Sequence, residues 1–284
     1  AEGRARAIGI VVWATTIGSV AAPNLLGVTS AGAERLGVAD LAGLPTAGAL
    51  FAAGAALVAW RFLRPDPLVA SGGLDRAGAP QRSVVRTLAA VRTNADAALA
   101  LTAMVSAHVV MVGLMAMTAL HLDDGGQSKA FIGFVISVHI AGMYALSPVA
   151  GLITDRFGRR WAIGLAAMVL VAATHTSGHT HGSESGPMLG ALFLLGLGWS
   201  LALIAGSALL TDSVPAGERV GVQGVADLSM SGAGAAAGLG AGLVMQAVGY
   251  HHLSHLAMGV ALVVLVLTAR RGLAVRRLRP RPTA

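Results

Sequence analysis

The chain has 284 residues, of which 55% are hydrophobic and only 12% charged, against about 25% charged in a soluble domain, so a soluble globular protein is excluded and an integral membrane protein indicated. Its net charge of +7 does not point to nucleic acid, because the arginines sit at the ends of apolar runs rather than in one patch. With no cysteine in the sequence, disulfides and thiolate metal sites are excluded too.

A helix needs about 20 mostly apolar residues to cross a bilayer. The apolar runs are continuous rather than alternating, which argues for helices over strands. The first predicted span, 7–28, is rich in small residues and is entered through Arg4 and Arg6. The second covers 44–62, and the polar connection 63–96 after it, with Pro65, Pro67 and Pro80, reads as a linker. The third span, 97–120, carries Met104, His108, Met111, Met115 and Thr118 at spacings of 4, 3, 4 and 3, which puts them on one helix face. Facing a cavity, they would offer a soft surface with one titratable imidazole; ordinary packing against neighbouring helices is the slightly favoured reading.

The fourth span, 130–153, holds His139, Met143 and Tyr144, then Ser147-Pro148, where proline should bend the helix. His139 falls near the bilayer middle, where a polar group wants a protein or water neighbour, and lining a cavity is one of its two open roles. The fifth span, 161–177, decays into the polar THTSGHTHGSES, and the sixth is 188–211. The seventh, 221–247, places Asp227 about 9 Å from its start at 1.5 Å per residue. A structural pairing of Asp227 with an arginine is favoured over a role as proton carrier. Gly234, Gly238 and Gly242 in the same span form a close-packing face. The eighth span is 253–270, and a basic tail, 273–284, follows.

With eight spans, 18 of the 20 basic residues fall on one side and only Arg35 and Lys129 on the other. The positive-inside rule then puts both ends of the chain in the cytoplasm. His175, His179, His181 and Glu184, with His251, His252 and His255, fall on the outer side. They lack companion ligands at diagnostic spacing, so no metal site and no cofactor is expected. Arg4, Gly9 and Gly27 recur 215 residues later as Arg219, Gly224 and Gly242. Six spans separate the two copies and both enter from the same side, as in a parallel repeat of six-helix halves. Two spans before the linker and six after it read as the end of a first half and a whole second half. The chain opens on AEGRARAIG, without an initiator methionine, and is expected to begin inside a longer protein.

The densest charge cluster is GLITDRFGRR, Gly151 to Arg160, between the fourth and fifth spans. It resembles the loop motif G-x-L-x-D-R-x-G-R-R/K of the major facilitator superfamily, with Ile153 in place of leucine. It stands where the second-half copy belongs. The first span matches the helix-five motif of antiporter members at Gly18, Pro23 and Gly27, and departs from it at Ala22 and Leu26. The resemblance implies an all-α integral membrane fold with eight transmembrane helices, the superfamily fold without its first four. Residues 1–62 would be the last two helices of the N-terminal half, 63–96 the cytoplasmic linker and 97–272 the complete C-terminal half. Asp155, with Gly151, Arg156, Gly158, Arg159 and Arg160, would form a gating motif whose acid meets the N-terminal end of the first span. The candidate cavity residues are His108, Met111, Met115, Thr118, His139, Met143, Tyr144 and Asp227.

The function expected is proton-coupled efflux of small amphipathic molecules by alternating access, in a monomer of the bacterial inner membrane without nucleic-acid partners. The alternatives are metabolite uptake by the same fold, or a non-transporting membrane scaffold or truncated gene product. An enzyme is not expected, since neither H-E-x-x-H nor G-x-S-x-G is present.

Overall fold

A computed structural model describes residues 3–24, 26–37, 39, 42–65 and 84–278. Pro67, Pro80, Arg76 and Arg82 of the expected linker, and Arg279 and Arg281 of the tail, lie outside the described residues, as do the side chain of Pro23 and the surroundings of Gly27. The described residues are mostly helical, with no strand among them. The helices are α1 (Arg4–Asn24), α2 (Leu26–Arg35), α3 (Gly43–Phe62), α4 (Val84–Thr93), α5 (Ala95–Asp124), α6 (Lys129–Tyr144), α7 (Ser147–Phe157), α8 (Arg159–His179), α9 (Ser185–Asp212) and α10 (Arg219–Leu278).

The chain divides into two units, Ile17–Gln81 and Ala1–Thr16 together with Arg82–Ala284. In the smaller unit α2 packs on α3, and α3 leaves Leu50, Phe51, Leu57 and Trp60 exposed, as suits a helix facing lipid. The expected first span runs through α1 into α2.

In the larger unit five helical segments are long and apolar enough to cross a membrane: Ala95–Asp124, Phe131–Phe157, Arg159–His179, Ser185–Asp212 and Ala216–Arg271. The last, at 56 residues, would reach about 84 Å if straight, far beyond a hydrocarbon core of about 30 Å. It does not run straight. Gly249 takes φ 80° and ψ 175°, a backbone shape that side chains resist, and the helix breaks there. Arg219 donates to the Thr211 carbonyl and Arg271 reaches Asp96, so both ends of α10 return to one end of the bundle. That end gathers Asp96, Asp155, Arg160 and Asp212 and is called the arginine-rich end; the other holds His121, His179 and His251.

Local chemistry sets the boundaries. Asn94 caps α5 by accepting from the N–H groups of Asp96 and Ala97 at 3.0 and 3.2 Å, and its own amide donates to the Ser213 carbonyl at 2.9 Å. The helix pair α6–α7 parts at Ala145 and Leu146, so the bend expected at Pro148 is a break just before it. Proline then occupies the first turn of α7, where its missing N–H costs nothing. Helix α8 outruns its expected end at 177 because its hydroxyls find partners. Thr174 donates to the Leu170 carbonyl, Thr180 to that of Thr176, and Ser177 meets Tyr250 at 2.7 Å.

Helix α9 is the centre of the bundle, with Leu192, Ile204, Ala205 and Leu210 at zero exposure. Its small residues face three neighbours: Gly196 lies on the His139 carbonyl of α6, Gly198 on Leu170 of α8 and Gly206 on Met104 of α5. Close helix approach of this kind supplies the packing that the bilayer does not drive.

Candidate functional site

Two places in the larger unit concentrate chemistry. The first is at the arginine-rich end, where α7 runs along the start of α1. Ser147, Gly151 and Asp155 recur every four residues on one face of α7 and meet the opening turns of α1. The Ser147 hydroxyl donates to the Gly9 carbonyl at 2.9 Å. A Cβ on Gly151 would stand 2.6 Å from the Ala5 carbonyl oxygen, so only glycine fits. The Asp155 carboxylate accepts from the N–H of Arg6 at 2.9 Å and of Ala5 at 3.4 Å. These N–H groups have no acceptor within α1, and the helix end carries roughly half a positive charge.

Arg159 pairs with Asp155 at 3.1 Å and with Asp212, at the end of α9, at 3.2 Å. Asp212 also takes Arg4. Asp155, Arg159 and Asp212 keep side-chain exposures of 15%, 17% and 22%, low enough to limit screening by solvent. Gly158 has φ 96° and ends α7 at once, which lets α8 begin with Arg159. Arg160 turns away and grips Asp96 with Nε at 3.0 Å and with Nη2, while Arg271 approaches the same acid at 3.5 Å. Arg156 is exposed. Asp212, Asp96 and Ser147 are absent from the sequence-derived set of site residues. No motif marks them, and each lies tens of residues or more from its partner.

The second place is at mid-height. His108 is near the middle of α5, Trp199 near the middle of α9, and Tyr144 is the last residue before the α6–α7 break. Gly234 sits midway along the 219–248 arm of α10. The Trp199 indole N–H donates to Nδ1 of His108 at 3.1 Å. Tyr144 meets Trp199 edge-on, centroids 6.1 Å apart at 84°. Gly234 lies over the His108 ring. Trp199 is a residue that the sequence reading missed; only its place in an apolar span could have marked it.

The remaining candidates are held elsewhere. Met104 and Met111 are buried, Met115 is half-buried, and Thr118 bonds the Tyr250 hydroxyl at 3.0 Å near the histidine-rich end. The methionine stripe is therefore mostly helix packing. His139 is 2% exposed and its Nδ1 bonds the Leu192 carbonyl at 2.9 Å. It is wedged between α6 and α9 and lines no open surface of this unit. Met143 is buried as well. Asp227 departs from expectation: it is exposed, its partner is Gln223 at 3.2 Å, and among the described residues no arginine pairs with it. One helical turn separates the two residues, and Arg219 at the start of α10 donates to the Thr211 carbonyl instead.

Of the three glycines expected to form a close-packing face, Gly234 and Gly238 pack on His108 and Val112, whereas Gly242 has no neighbour within 4 Å. Gly18 likewise meets nothing within 4 Å. At the histidine-rich end His175, His179, His251, His252 and His255 lie ring to ring, with centroids 4.3 to 5.4 Å apart. Even so, among the described residues no group of three or more His, Cys, Asp or Glu could hold a metal ion.

Residues 99–284 match the family model of the Major Facilitator Superfamily. The chain is 34% identical over 255 residues to the uncharacterized MFS-type transporter YdeG of Bacillus subtilis, covering 88% of this chain and 59% of that protein. It is 33% identical over 256 residues to the uncharacterized MFS-type transporter YddS of the same organism, with 88% and 58% covered. A more distant match, 29% identical over 170 residues, is to the riboflavin transporter RfnT of Brucella anthropi, covering 59% of this chain and 42% of that protein. The chain thus spans less than two thirds of the length of the relatives it matches. No solved structure matches it.

Proposed function

The chain belongs to the major facilitator superfamily and is a multi-pass membrane protein, and from that premise we propose that it works in proton-coupled efflux of small amphipathic molecules by alternating access. The observation that carries this reading is the Asp155 carboxylate on the N-terminal N–H groups of α1. A partly buried contact between an acid and a helix end is worth about 1–2 kcal/mol. That is enough to bias a conformational equilibrium of a few kcal/mol, so the contact can act as a latch that closes the arginine-rich, cytoplasmic end of the pathway. The acid is held on both sides, by Arg159 and by the helix end. The mid-height cluster of His108, Trp199 and Tyr144 supports a substrate site near the bilayer middle, where transporters bind their cargo beside interrupted helices. Efflux rather than uptake rests on the match to the antiporter motif at Gly18, Pro23 and Gly27.

Everted membrane vesicles containing the chain, given an acid-inside proton gradient and a panel of fluorescent amphipaths, test this. Energised accumulation should appear, collapse with a protonophore, and fall at least about tenfold in Asp155→Asn while expression persists. Unchanged transport in Asp155→Asn would sink the latch. Accumulation only in right-side-out vesicles would replace efflux by uptake, for which riboflavin is a cargo to try, given the relative that carries that name. No energised movement in either orientation would leave a scaffold.

A further inference from the structure

The two histidines of the membrane interior are held in opposite tautomers, and only one presents a free proton. An indole N–H donates and cannot accept. Because Trp199 donates to Nδ1 of His108, that nitrogen is a lone pair, and the neutral ring carries its proton on Nε2. His139 is the reverse: its bond to the Leu192 carbonyl needs the proton on Nδ1. The Nε2 lone pair of His139 is then sealed in the core without a partner. For His108, no group among the described residues bonds Nε2, and the atom is not among the buried unpartnered ones. It is a donor at mid-height that is not sealed in the core as the His139 Nε2 is.

Gly234 sets the approach to that donor. A Cβ at position 234 would stand 2.7 Å from Cδ2 and 3.0 Å from Nε2 of His108, so any larger residue would crowd the same edge of the ring. Tyr144, half-buried and edge-on to Trp199, adds an aromatic wall, and the half-buried Met115 adds apolar surface on the same face of α5. Among the described residues no carboxylate belongs to this cluster. A donor, aromatic walls and no acid favour an uncharged aromatic molecule with a hydrogen-bond acceptor over an organic cation.

We propose that His108, fixed as the Nε2–H tautomer by Trp199 and left open by Gly234, is the group that recognises a carbonyl or similar acceptor on an uncharged aromatic substrate. The proposal rests on the transporter reading for its meaning, but its test is equilibrium binding and needs no transport.

The test uses the full chain purified in detergent and prodan, an uncharged naphthalene ketone whose own emission changes when its carbonyl accepts a hydrogen bond. Prodan should show saturable binding that excess acetylnaphthalene displaces. Loss of one hydrogen bond in His108→Phe should weaken binding about tenfold. His108→Gln, which restores an N–H donor, should stay within about threefold of the parent. Gly234→Val should abolish the saturable component; should that variant fail to fold, His108→Phe still decides. Ethidium, a planar cation, should not compete. Absence of saturable prodan binding, parental affinity in His108→Phe, or full competition by ethidium would each overturn the proposal. Weakened binding with transport intact would remove His108 from the transport reading alone. Intact binding without transport would instead count against that reading and leave the recognition role standing.

Discussion

Asp155 is the residue on which the arginine-rich end turns, and Gly151 is what lets it get there. Four residues earlier on the same face, Gly151 sets the spacing of α7 from α1, and a single methyl group would collide with the Ala5 carbonyl. Overpacking of this kind costs about 1–3 kcal/mol. Because the chain contains no cysteine, Ala5→Cys makes a clean reporter, and Ala5 has no exposed surface. Gly151→Ala should raise the rate of thiol labelling at Cys-substituted position 5 about tenfold, the factor that corresponds to about 1.4 kcal/mol of opening. An unchanged rate would mean that α1 does not depend on the glycine for its seat. The acid and the glycine could be picked from GLITDRFGRR, since charge and glycine stand out in an apolar chain. Their partners could not: the backbone N–H groups of Ala5 and Arg6 have no sequence signature, and Gly9 is one of 38 glycines.

At the scale of elements, the start of α8 divides two tasks between neighbouring arginines. Successive residues on a helix point about 100° apart, so Arg159 reaches Asp155 of α7 and Asp212 of α9, while Arg160 reaches Asp96 of α5, which also takes Arg271 from near the end of α10. Arg160, Asp96 and Arg271 tie three helices of the larger unit together. Arg160→Ala should therefore lower the thermal midpoint of the purified protein by about 2–4 °C, the shift that about 1 kcal/mol produces at this size. Arg159→Ala should change transport more than it changes the midpoint. Equal loss of stability in both variants would remove the distinction. The elements themselves were largely legible, because a run of twenty apolar residues has one stable state in a bilayer. Their ends were less so. Asn94 and Ser128 extend helices by capping them, and hydroxyl bonds to backbone carbonyls carry α8 through a stretch whose composition reads as loop.

At the largest scale, the bundle of the larger unit sorts its chemistry by end: carboxylate–arginine pairs at one, histidines with tilted and edge-on ring contacts at the other. If the arginine-rich end is cytoplasmic, Glu184→Cys should react with a membrane-impermeant thiol reagent in intact cells. Phe157→Cys should react only after permeabilisation. The reverse pattern would invert the topology. By itself the sequence determined the class of protein and the acid most worth testing, because hydropathy and a loop motif are both local in the chain. Only the tertiary structure decided which residues meet at mid-height. It set Trp199 on His108, sealed His139 between α6 and α9 and left Asp227 exposed with a glutamine. Those outcomes depend on how each helix is rotated about its axis and on which small residues let neighbours approach, and neither is written in any short stretch of sequence.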